Sequence, residues 1–512
     1  KRMRTTILFL SFISLFFAGK AQMNSEELKI TRDDIKSAQK VRMVELNDPI
    51  RPAWHLTIAE GNAMPFDPNG AIFKDGVYHL WHIYQPERDL HYWQHLSSID
   101  LFHWRWNSTP LKPLPGDPEK GIFSGNAFVA NDGKVVIAYH GTGSDGNCVA
   151  ISDDKQLNQW TKSKDNPIVK PGWDPYMWVE GKTYYQISGG VPGGSKPTPP
   201  VLYTGDSYDK KMTKVGDFMT HEMPGVDEFE DISCPDFFKL GDKWVLLCIS
   251  HSRGVRYYIG TWNGKQFNPE SHHRMNWPGG TFFAPETLLD GQGRRILWGW
   301  VLDRKTGSSS GTMSMPRVLT LSKDKLSLNI DPPAETQCLR YNHAREEPFT
   351  VEAGQDVRLK NIAGNSLEMD LLIDPGKARR FGVKVFCSGD NREQTPVQID
   401  LDRDEMQIDV SRSGLNNPKY YEFVMAFGFL SDKNREVTFQ KAPFRIDPGE
   451  KVRLQIFLDK SILEVFANGR QCMTQVVYPS LNDAVSVRLF AEDAPVKLLK
   501  AESWQLFPAM QW

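Results

Sequence analysis

The chain has 512 residues, more than one small core requires, so two domains is the expected count. Lysine plus arginine (61) nearly balances aspartate plus glutamate (63), which excludes a strongly basic nucleic-acid binder and a polybasic membrane-surface protein. Aromatic residues are abundant, with 15 Trp and 28 Phe, as suits a β-rich protein in which most rings fill cores.

Residues 1–22 read "KRMRTTILFLSFISLFFAGKAQ": a basic start, an apolar run, then small residues. This is the pattern of a secretory signal peptide, and it predicts a secreted or periplasmic protein. The run is short for a membrane span and no second long apolar stretch follows, so no membrane span is expected in the mature chain. Residues 23–50 form a charged leader, "NSEELKITRDDIKSAQKVRMVEL" within it. From 51 to 325, short aromatic and β-branched runs recur between Gly, Asn, Asp and Pro turns, as in "GAIFKDGVYHLWHIYQ", "NAFVANDGKVVIAYHG" and "DKWVLLCIS". Helical periodicity is nearly absent. Strand–turn units repeated over this length predict a β-propeller of several four-stranded blades. Residues 326–345 read as a linker. From 346 to 512, alternating runs such as "KVRLQIFLDKSILEVFANG" predict a β-sandwich.

The six cysteines (Cys148, Cys234, Cys248, Cys338, Cys387, Cys472) are scattered, without CxxC or close Cys/His spacing. No metal and no cofactor is expected; mostly buried free thiols are, with one bridge left open. His82, His95 and His140 lie near the motifs below without metal spacing and read as structural.

Three acidic motifs stand in the first region. "MPFDPNGAIF" holds Asp67, "GWDPYMWVEGKTYYQISGG" holds Asp174, and "FEDISCPDFF" holds Glu230, Asp231 and Asp236. Asp-Pro is a common turn sequence, because Asp caps the turn and Pro fixes φ. Taken singly, each motif is most simply a turn. Together they fall at strand starts, and in a propeller such starts converge on the central channel. Two carboxylates flanking one bond are the minimum for sugar hydrolysis, about 5–5.5 Å apart for retention and about 6.5–9.5 Å for inversion.

These residues resemble glycoside hydrolase family 32, the invertase, levanase and inulinase family. "FDPNG" with "GVYHLWHIYQP" is similar to the family's nucleophile motif W-M-N-D-P-N-G and its next strand. "HYWQHLSSIDLFHW", "FSGNAF", "CVAISDD", "FFAPETLLDGQGRRILWGW" and "MSMPRVLTL" match further family segments in order, and "LDKSILEVFANG" resembles its D-x-S-x-x-E-x-F signature. The resemblance implies an all-β fold, a five-bladed propeller followed by a β-sandwich, and cleavage of β-fructofuranosidic bonds by a retaining double displacement with no cofactor. It implies Asp67 as nucleophile and Asp174 as the carboxylate that holds sugar hydroxyls and stabilises the transition state. Trp93, Phe123, Ser124, Asn69, Asn126, Asp236 and Glu286 are the implied substrate-binding residues, with carbohydrate as the partner.

The sequence departs from the family at informative places. Met64 and Phe66 replace the Trp and Asn before the nucleophile, Trp173 replaces the Arg before the second aspartate, and Ile83 replaces a Gln. The acid/base glutamate that precedes Cys-Pro-Asp is Ser233, whose hydroxyl pKa is far too high for a general acid. Glu230 and Asp231 are the candidates to replace it. Asp231 shares Ser233's face on a regular strand. Glu230 is the preferred choice if the segment is a loop, since glutamate is the usual glycosidase acid. A solvated acidic loop, "DEFED", is the lesser alternative for both. Two further readings stay open: a propeller that binds carbohydrate without cleaving it, and a glycosidase for another furanoside.

Overall fold

The computed structural model describes residues 48–57, 67–84, 90–107, 111–190, 197–302, 312–423 and 433–509. The signal-peptide expectation and nearly all of the leader fall outside these residues, as do Met64 and Phe66.

Five antiparallel sheets follow one another along the first part of the chain. Blade I comprises Pro68–Lys74, Val77–Tyr84, Tyr92–Ser98 and Trp104–Trp106, and blade II Gly121–Val129, Val135–Thr142, Gly146–Ser152 and Thr161–Lys162. Blade III comprises Pro175–Glu180, Thr183–Ser188, Val201–Gly205 and Thr213–Asp217, and blade IV Ser233–Leu240, Lys243–Ser250, Gly254–Trp262 and Phe267–Arg274. Blade V is built on Phe282–Leu289, Arg295–Val301, Arg317–Leu321 and Leu328–Asp331, with Thr312–Met313 paired to its second strand. The first strands touch in sequence, I to II to III to IV to V, and the fifth touches the first, so the ring closes around a channel.

The blade strands read as unbroken apolar runs because each sheet is covered on both faces by neighbouring blades. The second strand of blade IV, "KWVLLCIS", is buried from Val245 onward. Aromatics do much of this packing. Trp81, Trp93 and Tyr139 sit between blades I and II, and Trp178, Phe218, Phe237, Tyr258 and Phe267 between III and IV. The high Trp and Phe content is thus mainly a consequence of blade stacking.

Four of the five inner strands carry a register shift near their start: between Asn69 and Ile72, Ile122 and Gly125, Ser233 and Asp236, and Phe283 and Pro285. A bulge re-aims the side chains on either side of it. Here it turns the residues at the strand starts toward the channel.

The second part of the chain forms a sandwich of a seven-stranded and a six-stranded sheet around its own apolar core. The two parts are locked together by buried polar groups. Asp459 accepts from the backbone N–H of Ala53, Trp54 and His55, and His55 Nδ1 lies 2.9 Å from Asp459 Oδ2. Glu464 accepts from Met315 N–H (2.8 Å) and from Arg317 Nη2 (2.9 Å). The "LDKSILEVFANG" motif is therefore an interface motif.

Residues 326–345, expected as a linker, are structured. They contain the last strand of blade V, the 3-10 helix Ala334–Leu339 and the start of the sandwich strand Arg340–Glu346. Their Pro and polar content suits edge strands and a tight crossover. All six cysteines are free thiols.

Candidate active site

Asp67 opens the inner strand of blade I, where Asp-Pro-Asn-Gly makes the bulge. Gly70 adopts φ 62°, and a Cβ there would lie 3.1–3.3 Å from Trp93, Trp81 and Ala127. Asn69 Nδ2 donates to Asp67 O (2.8 Å), and Ile83 N–H donates to the same oxygen (3.1 Å). With its backbone pinned, Asp67 presents its carboxylate to the channel. Ser124 Oγ donates to Asp67 Oδ2 (2.8 Å), while Oδ1 is buried without a hydrogen-bond partner. Burial raises the Asp67 pKa, against the Ser124 bond and the charge of His251.

Asp174 precedes the inner strand of blade III at φ 23°. Facing it is Cys234, the bulge residue of blade IV at φ 45°. Positive φ at two non-glycine residues is backbone strain held in place by the surroundings. Cys234 N–H donates to Asp174 Oδ2 (3.0 Å), and its Sγ lies 3.6 Å from that oxygen and 4.0 Å from Asp67 Oδ2. The two aspartates thus meet on one thiol. Burial pushes the Asp174 carboxyl up to about 6, and the neighbouring Asp67 charge adds to the rise. The Cys234 thiol is raised by burial and by both carboxylates, so it stays protonated and donates.

The third acidic stretch divides in two. Glu230, the preferred replacement for the absent acid, does not occupy that role. Its carboxylate takes Arg274 Nη1 at 2.8 Å and Nη2 at 2.5 Å, with Arg256 Nη1 at 3.7 Å and Asp227 N–H at 3.0 Å. Although burial opposes it, this pairing holds the Glu230 pKa below the usual carboxylate value. Glu230 also lines a cleft with Thr198, His221 and Glu222 whose wall includes neither Asp67 nor Asp174. Its longer reach goes to the arginines.

Asp231 is held beside Ser233. Ser233 Oγ donates to Asp231 Oδ2 (2.7 Å) and accepts from Trp173 Nε1 (3.0 Å). Two of the departures from the family pattern, Trp173 and Ser233, are therefore in direct contact. His251 completes the group: its N–H donates to Asp231 Oδ1 (2.9 Å) and its Nδ1 lies 2.6 Å from Oδ2. Burial would raise Asp231, but the His251 and Ser233 bonds outweigh it and hold the carboxyl low. Burial would likewise lower His251, yet Asp231, Asp174 and Asp67 together raise it. Sequence reading missed His251. The turn at Gly241–Asp242 pairs Leu240 with Lys243, a count that would set Asp231 opposite Ser252; the register shift between Ser233 and Asp236 moves the pairing to Ser233–Ile249, and only that shift brings His251 opposite Asp231.

Several expected substrate contacts have other partners. Asn69 bridges Asp67 and Gly125. Asn126 bonds both backbone groups of Met177, tying blade II to blade III. Trp93 is fully buried and donates to Phe123 O. These three hold the frame because buried polar groups and large rings between blades must find protein partners. Asp236 accepts from Thr287 Oγ1, and Glu286 accepts from Ala71 N–H. Both are buried and cross-link blades IV, V and I, and burial raises both pKa values, that of Asp236 to about 6. Phe123 is half-buried against His91 and His140. His82 and His95 are buried, with pKa values near 3 from desolvation, and stay neutral. Among the described residues, Asp100, His103 and Cys338 are grouped closely enough to hold a metal ion, but Asp100 Oδ2 is already bonded to His103 Nδ1 at 2.7 Å.

A closed propeller with buried carboxylates from different blades at its channel, docked on a β-sandwich, defines a carbohydrate-active propeller protein. The chain belongs to glycosyl hydrolase family 32: the family's N-terminal domain matches residues 58–332 and its C-terminal domain residues 335–505. It is 27% identical to a sucrose-6-phosphate hydrolase of Zymomonas mobilis, across 90% of this chain and 91% of that protein. It is also 27% identical to the levanase of Bacillus subtilis, across 88% of this chain and 70% of that one. Its fold is like that of fructan 1-exohydrolase IIa from Cichorium intybus, with a TM-score of 0.75 at 21% identity over 90% of this chain and 98% of that one.

Proposed function

We propose that the chain hydrolyses β-fructofuranosidic bonds in sucrose or fructans by a retaining double displacement. The observation that carries this reading is the meeting of Asp67 and Asp174 on Cys234 at the channel. One carboxylate, on a half-buried residue, is oriented by Ser124 Oγ, and the other is oriented by a backbone N–H. The names of the relatives, among them levanase and sucrose-6-phosphate hydrolase, support the substrate class.

Asp67 attacks the anomeric carbon of the fructosyl unit and the glycosidic C–O bond breaks. Asp174 accepts hydrogen bonds from the sugar hydroxyls and stabilises the oxocarbenium-like charge. Ser124 orients Asp67. Export rests on the composition of residues 1–22 alone, and no helix among the described residues is long and apolar enough to cross a membrane.

Replacing Asp67 with Asn is expected to lower release of fructose from sucrose, levan and inulin by at least about 10⁴-fold, with the circular-dichroism spectrum unchanged. Wild-type turnover in that variant would remove the assignment. Binding of these sugars by the unaltered chain, with no fructose released on long incubation, would mark a carbohydrate-binding propeller instead, the outcome that the absent glutamate at Ser233 makes worth testing.

A further inference from the structure

The glutamate absent at Ser233 leaves the reaction without the family's proton donor, and Ser233 cannot act as one. Resting on the fructosidase reading above, we propose that the His251 imidazolium, oriented by Asp231, is the general acid and base of this reaction, standing in for the carboxyl absent at Ser233.

The geometry is that of an acid with its orienting partner. Asp231 grips His251 at two points, N–H to Oδ1 and Nδ1 to Oδ2, while Ser233 steadies Oδ2 from the other side. Trp173 fixes Ser233 in turn. With Nδ1 committed to Asp231, the transferable proton sits on Nε2. Among the described residues, Asp231 from the segment entering blade IV bonds the ring, the Phe283 ring of blade V lies 6.3 Å away, and the charges of Asp174 from blade III and Asp67 from blade I act on it. On its own turn, Arg253 is directed to Asp227 and Glu422. Burial opposes the charged imidazole, but the bond to Asp231 and the charges of Asp231, Asp174 and Asp67 outweigh it, which supports a role as acid.

The step balances without a further reagent. As an Asp67 oxygen bonds to the anomeric carbon, the glycosidic C–O bond breaks, its electron pair stays on the leaving oxygen, and that oxygen takes the proton from His251 Nε2. In the second half, water bonds to the anomeric carbon as the Asp67–carbon bond breaks, and the water proton returns to His251. Asp231 stays ionised throughout and acts as a positioning residue.

His251→Gln should lower kcat on sucrose and levan by about 10²- to 10⁴-fold, the usual worth of general acid–base catalysis. It should cleave 4-nitrophenyl β-fructofuranoside much closer to the wild-type first-step rate, because nitrophenolate leaves without a proton. Azide, which needs no general base, should restore its turnover. Asp231→Asn should move the alkaline limb of the wild-type kcat/KM profile to lower pH, and a histidine resonance absent from His251→Gln should titrate lower in Asp231→Asn by NMR. Wild-type rates on sucrose and levan in His251→Gln overturn the proposal. So does an unmoved alkaline limb in Asp231→Asn, which would show that His251 does not set that limb. An unaltered chain inactive on all four substrates (sucrose, levan, inulin and the aryl fructoside) removes the fructosidase reading itself, and the acid assignment falls with it.

Discussion

At the residue scale, Asp174 carries a conflict between stability and activity. Its carboxyl titrates near 6 in the folded chain, against an ordinary value of 3.8, because burial penalises the charge. A raised folded pKa means stability that is fully present below the unfolded value and lost as pH rises through the folded one. Between pH 3.8 and about 6 the fold therefore loses on the order of 1–3 kcal/mol at this site. Asp174→Asn should raise Tm at pH 7–8 and leave it unchanged below pH 4, while fructose release falls sharply. Calorimetry across that range checks the sign, and a Tm gain at pH 3.5 equal to that at pH 8 would contradict it. The acids were legible as residue types; their partners were not. Glu230 and Asp231 are adjacent in sequence, yet one is spent on Arg256 and Arg274 and the other on His251, because successive side chains leave the backbone in different directions.

At the element scale, the site depends on bulges. "FDPNG" and "SCPDFF" each place an extra residue at the start of an inner strand, and each bulge directs a group into the channel. Turn chemistry made the Asp-Pro-Asn-Gly irregularity readable, since only glycine takes φ near +60° without cost. The Cys234 bulge had no such marker, as its strain is held by Asp174 and the hairpin around it. Gly70→Ala combines an unfavourable φ with contacts of 3.1–3.3 Å to two tryptophans and Ala127. It should cost about 1–2 kcal/mol or more in stability and lower kcat by displacing Asp67. Denaturant unfolding and kinetics measure the two effects, and a variant with unchanged Cm and kcat would show that the bulge does not position the acid.

At the scale of the whole molecule, a buried ionic network joins propeller to sandwich. His55 lies between Asp459 and Glu464, and Glu464 also holds Arg317; every side chain in this group is at most 1% exposed. Breaking such a pair leaves uncompensated charge and costs about 3–5 kcal/mol. Glu464→Ala should therefore lower Tm, and a single calorimetric transition should separate into two as the domains uncouple. An unchanged, single transition would mean that apolar contact alone couples them. The strand pattern foretold both domains, but not that the sandwich signature faces the propeller. Buried Asp and Glu in a strand report that a partner exists without saying from which part of the chain it comes.

The sequence by itself determined the all-β character, the two architectures in their order and the family, and it singled out Asp67 and Asp174 as candidates. Alternation, turn residues and motif order are local properties, readable without knowing what lies across space. Tertiary structure alone decided that Asp231 is bonded to His251, that Asn69, Asn126 and Trp93 find partners within the protein, and that residues 328–331 close a blade. Those outcomes depend on which strand starts meet at the channel and which buried charges find each other, and such pairings are made between distant parts of the chain.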